Sequence, residues 1–108
     1  MYKTLSEICE EIGVSRRAIQ GYEKLRMVSS SRRNKYGHLL YSEEDVARIR
    51  MIKQYQEWGL SLKEIQKLLV ATQEEFEEML SYRLEQLKQM KTDLESHIEQ
   101  ITRLLSER

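Results

Sequence analysis

Residues 4–24, TLSEICEEIGVSRRAIQGYEK, decide the reading of this chain. Leu5, Ile8, Cys9 and Ile12 recur at helical spacing and predict a helix over about 5–12, capped by Thr4 with Glu7 three residues on. Gly13 suits the left-handed end of that helix, and Ser15 suits the cap of a second one running from about Arg16 to Lys24. Arg16 and Arg17 stand in the first turn of the second helix, where positive charge opposes the helix dipole. Such a pair makes sense when the helix end faces phosphates or base edges. Two short amphipathic helices joined at Gly13-Val14-Ser15 are the sequence form of a helix-turn-helix.

Working outward, residues 29–35 (SSSRRNK) read as a polar loop. Gly37 then predicts the turn of a small hairpin leading into Leu39-Leu40-Tyr41. Ser42 followed by Glu43-Glu44-Asp45 starts a third helix that turns Val46, Ile49, Ile52 and Tyr55 inward and stops near Trp58-Gly59. Ser61, with Glu64 at the capping-box position, starts a fourth helix with apolar Ile65, Leu68 and Leu69. The expected fold is mainly α: a winged helix-turn-helix head over residues 1–71.

From about Gln73 the pattern becomes one long helix, and residues 72–108 form the second expected domain. Leu80, Leu84, Leu87, Lys91, Leu94, Ile98, Ile101 and Leu105 alternate at spacings of four and three. So narrow a seam requires a partner helix, and a second copy of the chain is the simplest supplier. Lys91 is the polar exception; it either fixes register by meeting Glu95 or Asp93 of the other chain or extends to solvent. His97 flanks the seam.

The 108 residues carry no net formal charge, yet the charge is divided. Residues 1–53 hold eleven basic and seven acidic side chains, and residues 54–108 hold seven and eleven. Between Arg16 and Lys35 seven basic residues face one acid, Glu23. A basic head on an acidic body fits a polyanion-binding module with a separate partner surface. One cysteine excludes an intrachain disulfide and favours the cytoplasm. No apolar run approaches membrane-spanning length, and no secretory leader is evident. Cys9 lies on the apolar stripe and reads as a buried structural thiol. Nothing supports catalysis: there is no phosphate-cradling glycine loop and no histidine–glutamate metal signature. The acids Glu74, Glu75, Glu77 and Glu78 serve a helix start. The expectation is no enzyme, no catalytic residue, no metal and no cofactor.

The candidate DNA-binding residues are Ser15, Arg16, Arg17, Gln20, Tyr22, Arg32, Arg33, Lys35, His38 and Lys63. Arginine grips guanine, and glutamine adenine, through two hydrogen bonds, so Arg16, Arg17 and Gln20 are the base-edge candidates. A phosphate contact or a solvated surface is the alternative for the two arginines. Tyr22 is either a phosphate contact or a core tyrosine with its hydroxyl outward. Arg32, Arg33, Lys35 and His38 are expected to anchor the backbone, and Lys63 either reaches a phosphate or is solvated.

The stretches LSEICEEIGVSRRAIQGYEKL, GHLLYSEEDVARIRMIK and WGLSLKEIQKLL, in this order and followed by a long helix, resemble the mercury-resistance-regulator (MerR) family of bacterial transcription regulators. The resemblance implies a homodimer joined by an antiparallel coiled coil that presents two heads to a pseudo-palindromic promoter. It also implies distortion of the promoter spacer and RNA polymerase as a partner. Helix two would enter the major groove, while the wing and fourth helix contact flanking backbone. Where the family usually carries an arginine and two tyrosines before a glutamate, this chain has Gln20-Gly21-Tyr22-Glu23. The wing's usual glycine-tyrosine-arginine is Gly37-His38-Leu39. These departures keep two alternatives open: a coiled-coil protein-interaction module, and a nonspecific DNA-organising factor with weakened base readout. Larger family members append a ligand-binding domain after the long helix, and Arg108 falls about where the coiled coil is expected to end.

Overall fold

The structure is a computed structural model that describes residues 1–30 and 32–107. Ser31, within the loop expected over 29–35, lies outside the described residues, as does Arg108. The chain forms two compact units, Met1–Leu69 and Val70–Arg108.

The first unit begins with a two-residue strand β1 (Lys3–Thr4) running directly into α1 (Leu5–Ile8). Thr4 and Glu7 form the expected capping box: Thr4 Oγ1 accepts from the Glu7 N–H, and the Glu7 carboxylate accepts from the Thr4 N–H. The helix does not continue in regular form, however. Cys9–Gly13 make a π turn, ended by Gly13 at φ 76°. The wider turn takes the residues after Ile8 off the 3.6 period on which the apolar stripe was read. Ile8 is buried, whereas Cys9 and Ile12 are half-buried, so the thiol of Cys9 is less enclosed than the buried structural thiol expected. Lys53 closes the turn by donating to the Ile12 carbonyl at 3.0 Å.

Helix α2 (Arg16–Lys24) is capped by Ser15, whose hydroxyl accepts from the Ala18 N–H at 3.0 Å. Its end is a Schellman turn: the Met27 N–H bonds the Tyr22 carbonyl and the Arg26 N–H that of Glu23. Arg26 occupies the left-handed position at φ 59°, usually a glycine's place. Then β2 (Arg32–Arg33) and β3 (Leu39–Tyr41) form an antiparallel hairpin with Arg32 opposite Leu40 and Arg33 opposite Leu39. Strand β2 falls inside the stretch expected as plain loop. On its other edge β3 pairs with β1, giving sheet order β1-β3-β2, with Lys3 opposite Tyr41.

Helix α3 (Glu43–Glu57) starts in a second capping box, Ser42 with Asp45, and buries Val46, Ile49, Ile52 and Tyr55 as its spacing predicts. It stops in another Schellman turn with Gly59 at φ 88°, and Leu60 inserts behind it into the core. Helix α4 (Leu62–Leu69) starts from the Ser61–Glu64 box and buries Ile65 and Leu68. The core thus gathers the inner faces of α1–α4 around Tyr41 of the sheet. Residues far apart in sequence lock the helix-turn-helix in place: Arg48 donates to the Met27 carbonyl and Gln66 to the Leu25 carbonyl.

The second unit carries α5 (Gln73–Ser106), an unbroken helix of 34 residues, roughly 50 Å long at about 1.5 Å per residue. It opens in a capping box between Thr72 and Glu75. No residue of α5 is buried, and its seam leucines and isoleucines from Leu84 onward are exposed. No helix of the described residues is long and apolar enough to cross a membrane.

Candidate nucleic-acid interface

Helix α2 sorts its side chains by period. Ile19 and Tyr22 point inward and are buried; Arg16, Arg17 and Gln20 point outward and are exposed. Arg16 and Gln20 lie one turn apart on an exposed flank of α2, with Arg16 at its N-terminal end. That end also presents first-turn N–H groups beyond the one Ser15 satisfies, a setting that favours anions. Arg16 is not free: its guanidinium donates to Ser6 Oγ at 2.8 Å, which holds it over the start of α1.

Tyr22 belongs to the core. It is 1 % exposed and its hydroxyl donates to Gln56 of α3 at 2.6 Å. Of the two readings of Tyr22, core packing fits this position, and a surface phosphate contact does not. Burial raises its hydroxyl above the ordinary value of 10.0, so it remains a donor. Glu23, the single acid of the basic stretch, supports the fold by accepting from the buried Tyr41 hydroxyl. Burial first, and the Glu23 carboxylate second, push Tyr41 far above the usual tyrosine range. The carboxylate is thus turned toward the sheet.

The wing is organised by Asn34, a residue that the sequence pattern did not single out. Its Oδ1 accepts from the Tyr36 N–H at 2.9 Å and the His38 N–H at 3.0 Å, an Asx arrangement that closes the tip with Gly37 at φ 80°. An asparagine three residues ahead of a turn glycine was the available signal. Arg33 braces the same turn by donating to the Gly37 carbonyl at 2.7 Å. Arg32 lies over the Tyr2 ring at 4.3 Å, and Lys35 over the Tyr36 ring at 5.1 Å. Tyr36 is itself 71 % exposed and pairs with His38 at 6.2 Å. No signal in sequence joined Tyr2 to Arg32; strand β1 brings them together.

A groove lined by Thr4, Leu5, Ser6, Arg16, His38 and Leu39 runs between the start of α2 and the wing. The fold thus unites Arg16 with His38 at one groove and places Arg32, Arg33 and Lys35 on the adjoining hairpin. Arg17 and Gln20 share the exposed face of α2, and Lys63 stands exposed in the first turn of α4. Such a surface can hold phosphates by charge and backbone N–H groups and present arginine and glutamine to base edges. Among the described residues, no group of three His, Cys, Asp or Glu side chains is placed to hold a metal ion.

The family description "MerR HTH family regulatory protein" matches residues 3–72, and "MerR, DNA binding" matches residues 46–107. In sequence the chain is similar to the mercuric resistance operon regulatory protein of Bacillus cereus, 37 % identical over 65 residues that cover 60 % of this chain and 49 % of that one. It is also similar to nodulation protein NolA of Bradyrhizobium elkanii, 35 % identical over 68 residues covering 63 % and 31 %. The chain spans half the length or less of these curated relatives. Its structure resembles MtaN, the N-terminus of the Bacillus subtilis multidrug transporter activator, at TM-score 0.73 and 27 % identity, covering 95 % of this chain and 97 % of that one. It shares its fold with HiNmlR, a MerR family regulator lacking the sensor domain and bound to promoter DNA, at TM-score 0.74 and 21 % identity, covering 92 % and 80 %.

Proposed function

The chain belongs to the MerR family of helix-turn-helix regulatory proteins, and from that premise we propose that it is a dimeric, sequence-specific, cytoplasmic transcription regulator. In this reading two heads bind a pseudo-palindromic promoter, each with α2 in the major groove and its wing on the flanking backbone. The seam of α5 joins the two copies. Distortion of the promoter spacer between the polymerase-recognition elements then alters how RNA polymerase engages the promoter, with sequence-dependent deformation energy as the controlled quantity.

The observation that carries this reading is the groove shared by Arg16 and His38, flanked by exposed Arg17 and Gln20 and by the basic hairpin. Cationic groups for phosphates and bidentate donors for bases lie side by side on one surface. One specific observation favours weaker base readout: Arg16, a base-edge candidate, already spends a donor inside the chain, on Ser6. Selection of bound sequences from a random duplex pool at near-physiological salt separates the cases. An enriched inverted repeat is the expected result. Salt-sensitive binding without enrichment marks a nonspecific DNA-organising factor, and no binding marks a protein-interaction module.

A further inference from the structure

The seam of α5 has eight positions, and every one except Lys91 is apolar. Leu84, Leu94, Ile98, Ile101 and Leu105 are all more than half exposed in the single chain. Resting on the dimer reading above, we propose that this face pairs with the same face of a second copy in one antiparallel register. Leu80 packs on the partner's Leu105, Leu84 on the partner's Ile101, Leu87 on the partner's Ile98, and Lys91 on the partner's Leu94. Lys88, Lys91 and Glu95 select that register against its competitors.

Coverage and charge both favour this alignment. Among antiparallel alignments it alone covers all eight seam positions of both helices. Antiparallel pairing sets residues flanking the seam on one side beside the same side of the other helix. Lys88 then lies next to the partner's Glu95, and by symmetry the pair occurs twice. On the other flank Met90 meets the partner's His97 and Leu104 meets the partner's Arg83, which widens the apolar strip and covers Met90 and Leu104, 48 % and 63 % exposed in the single chain.

The nearest competitors place like charges together. A slip by one heptad in one direction sets Lys88 against the partner's Lys88; in the other it sets Glu95 against the partner's Glu95. Parallel in-register pairing stacks Lys91 on the partner's Lys91 within one layer and sets Arg83 beside the partner's Lys88. Specificity by penalising the alternatives is how coiled coils choose partners and orientation. Among the described residues Lys88 pairs within its own chain with Glu85 across one turn at 3.6 Å, with both side chains well exposed. A contact of that kind is worth little and is readily exchanged.

The test uses the full chain and sedimentation equilibrium at low salt. Lys88→Glu alone should weaken dimerisation about tenfold, because two attractive pairs become repulsive. Adding Glu95→Lys should restore it. That rescue isolates the interchain pair, since the second change does not rebuild Lys88–Glu85. Where dissociation lies below the measurable range, the thermal midpoint at fixed concentration should fall and recover in the same order. A tighter dimer for Lys88→Glu indicates parallel pairing and overturns the proposal, as does an intact dimer indifferent to the charge at position 88. A monomeric wild-type chain at micromolar concentration overturns the dimer reading itself, and the register with it.

Discussion

Gly21 offers a prediction in which stability and DNA binding move in opposite directions. It sits inside α2, where glycine costs a helix about 0.5–1 kcal/mol relative to alanine, chiefly through the freedom its unfolded backbone loses. A glycine in such a place is usually explained by a crowded neighbour or a positive φ. Neither applies: a Cβ built on Gly21 meets nothing within 4 Å, and its φ is not in the left-handed region. Gly21→Ala should therefore gain most of the helix propensity difference, about 0.5–1 kcal/mol. With about 2 cal/mol/K of unfolding entropy per residue, that corresponds to a thermal midpoint about 2–4 °C higher. Circular dichroism melting of the two chains at equal concentration checks it. An unchanged or lowered midpoint refutes the propensity argument. Nothing among the described residues demands glycine here, and in the proposed complex close approach of the α2 backbone to DNA supplies a reason for it. The same variant, titrated by fluorescence anisotropy on a selected duplex, should then bind about tenfold more weakly. Unaltered affinity refutes the close approach and leaves the stability result standing.

Arg26→Gly should stabilise the head by about 1 kcal/mol, because it removes a side chain from the left-handed position that ends α2; the denaturant midpoint reads this, and Arg26→Ala should show no comparable gain. Acid should weaken the fold through Glu7 and Glu75. Each is held below the ordinary carboxylate value of 4.5, first by the backbone N–H of its capping threonine and then by that threonine's hydroxyl. A folded-state pKa below the unfolded one contributes stability that is present above 4.5 and is lost as pH falls through the folded value. The paired variant Glu7→Gln/Glu75→Gln should flatten that acid limb in melts run across this window. On DNA, Arg16→Ala should lose about 1–3 kcal/mol and relax discrimination at one base position, whereas Lys35→Ala should weaken all duplexes alike and lower the salt slope by about 1; anisotropy on the selected site and on random duplex separates the two.

The legible part of this molecule is the part built from contacts within one or two turns. Thr4 with Glu7, Ser15 with Ala18, Ser42 with Asp45 and Ser61 with Glu64 are each three residues apart, so their capping bonds follow from residue type and spacing alone. The same holds for the inward faces of α2, α3 and α4, and for the seam of α5, where a helical period is the only requirement. The order of those elements also carried the family resemblance. The Asx turn at Asn34 is equally local, and its residue type and spacing were there to be read.

What tertiary structure alone decided involves partners distant in sequence. Strand β1 is two residues long and exists because β3 offers an open edge to Lys3 and Thr4. That pairing in turn brings Tyr2 to Arg32. Tyr22 bonds Gln56 across 34 residues, Lys53 reaches the Ile12 carbonyl across 41, and Tyr41 takes the one acid of the basic stretch out of the surface. The π turn at Cys9–Gly13 breaks the period that placed Cys9 in the core. Caps and periodicity are properties of a few adjacent residues and survive in any context. Burial and long-range hydrogen bonds depend on which faces the folded chain closes over, and that choice is made by the packing of all the elements at once.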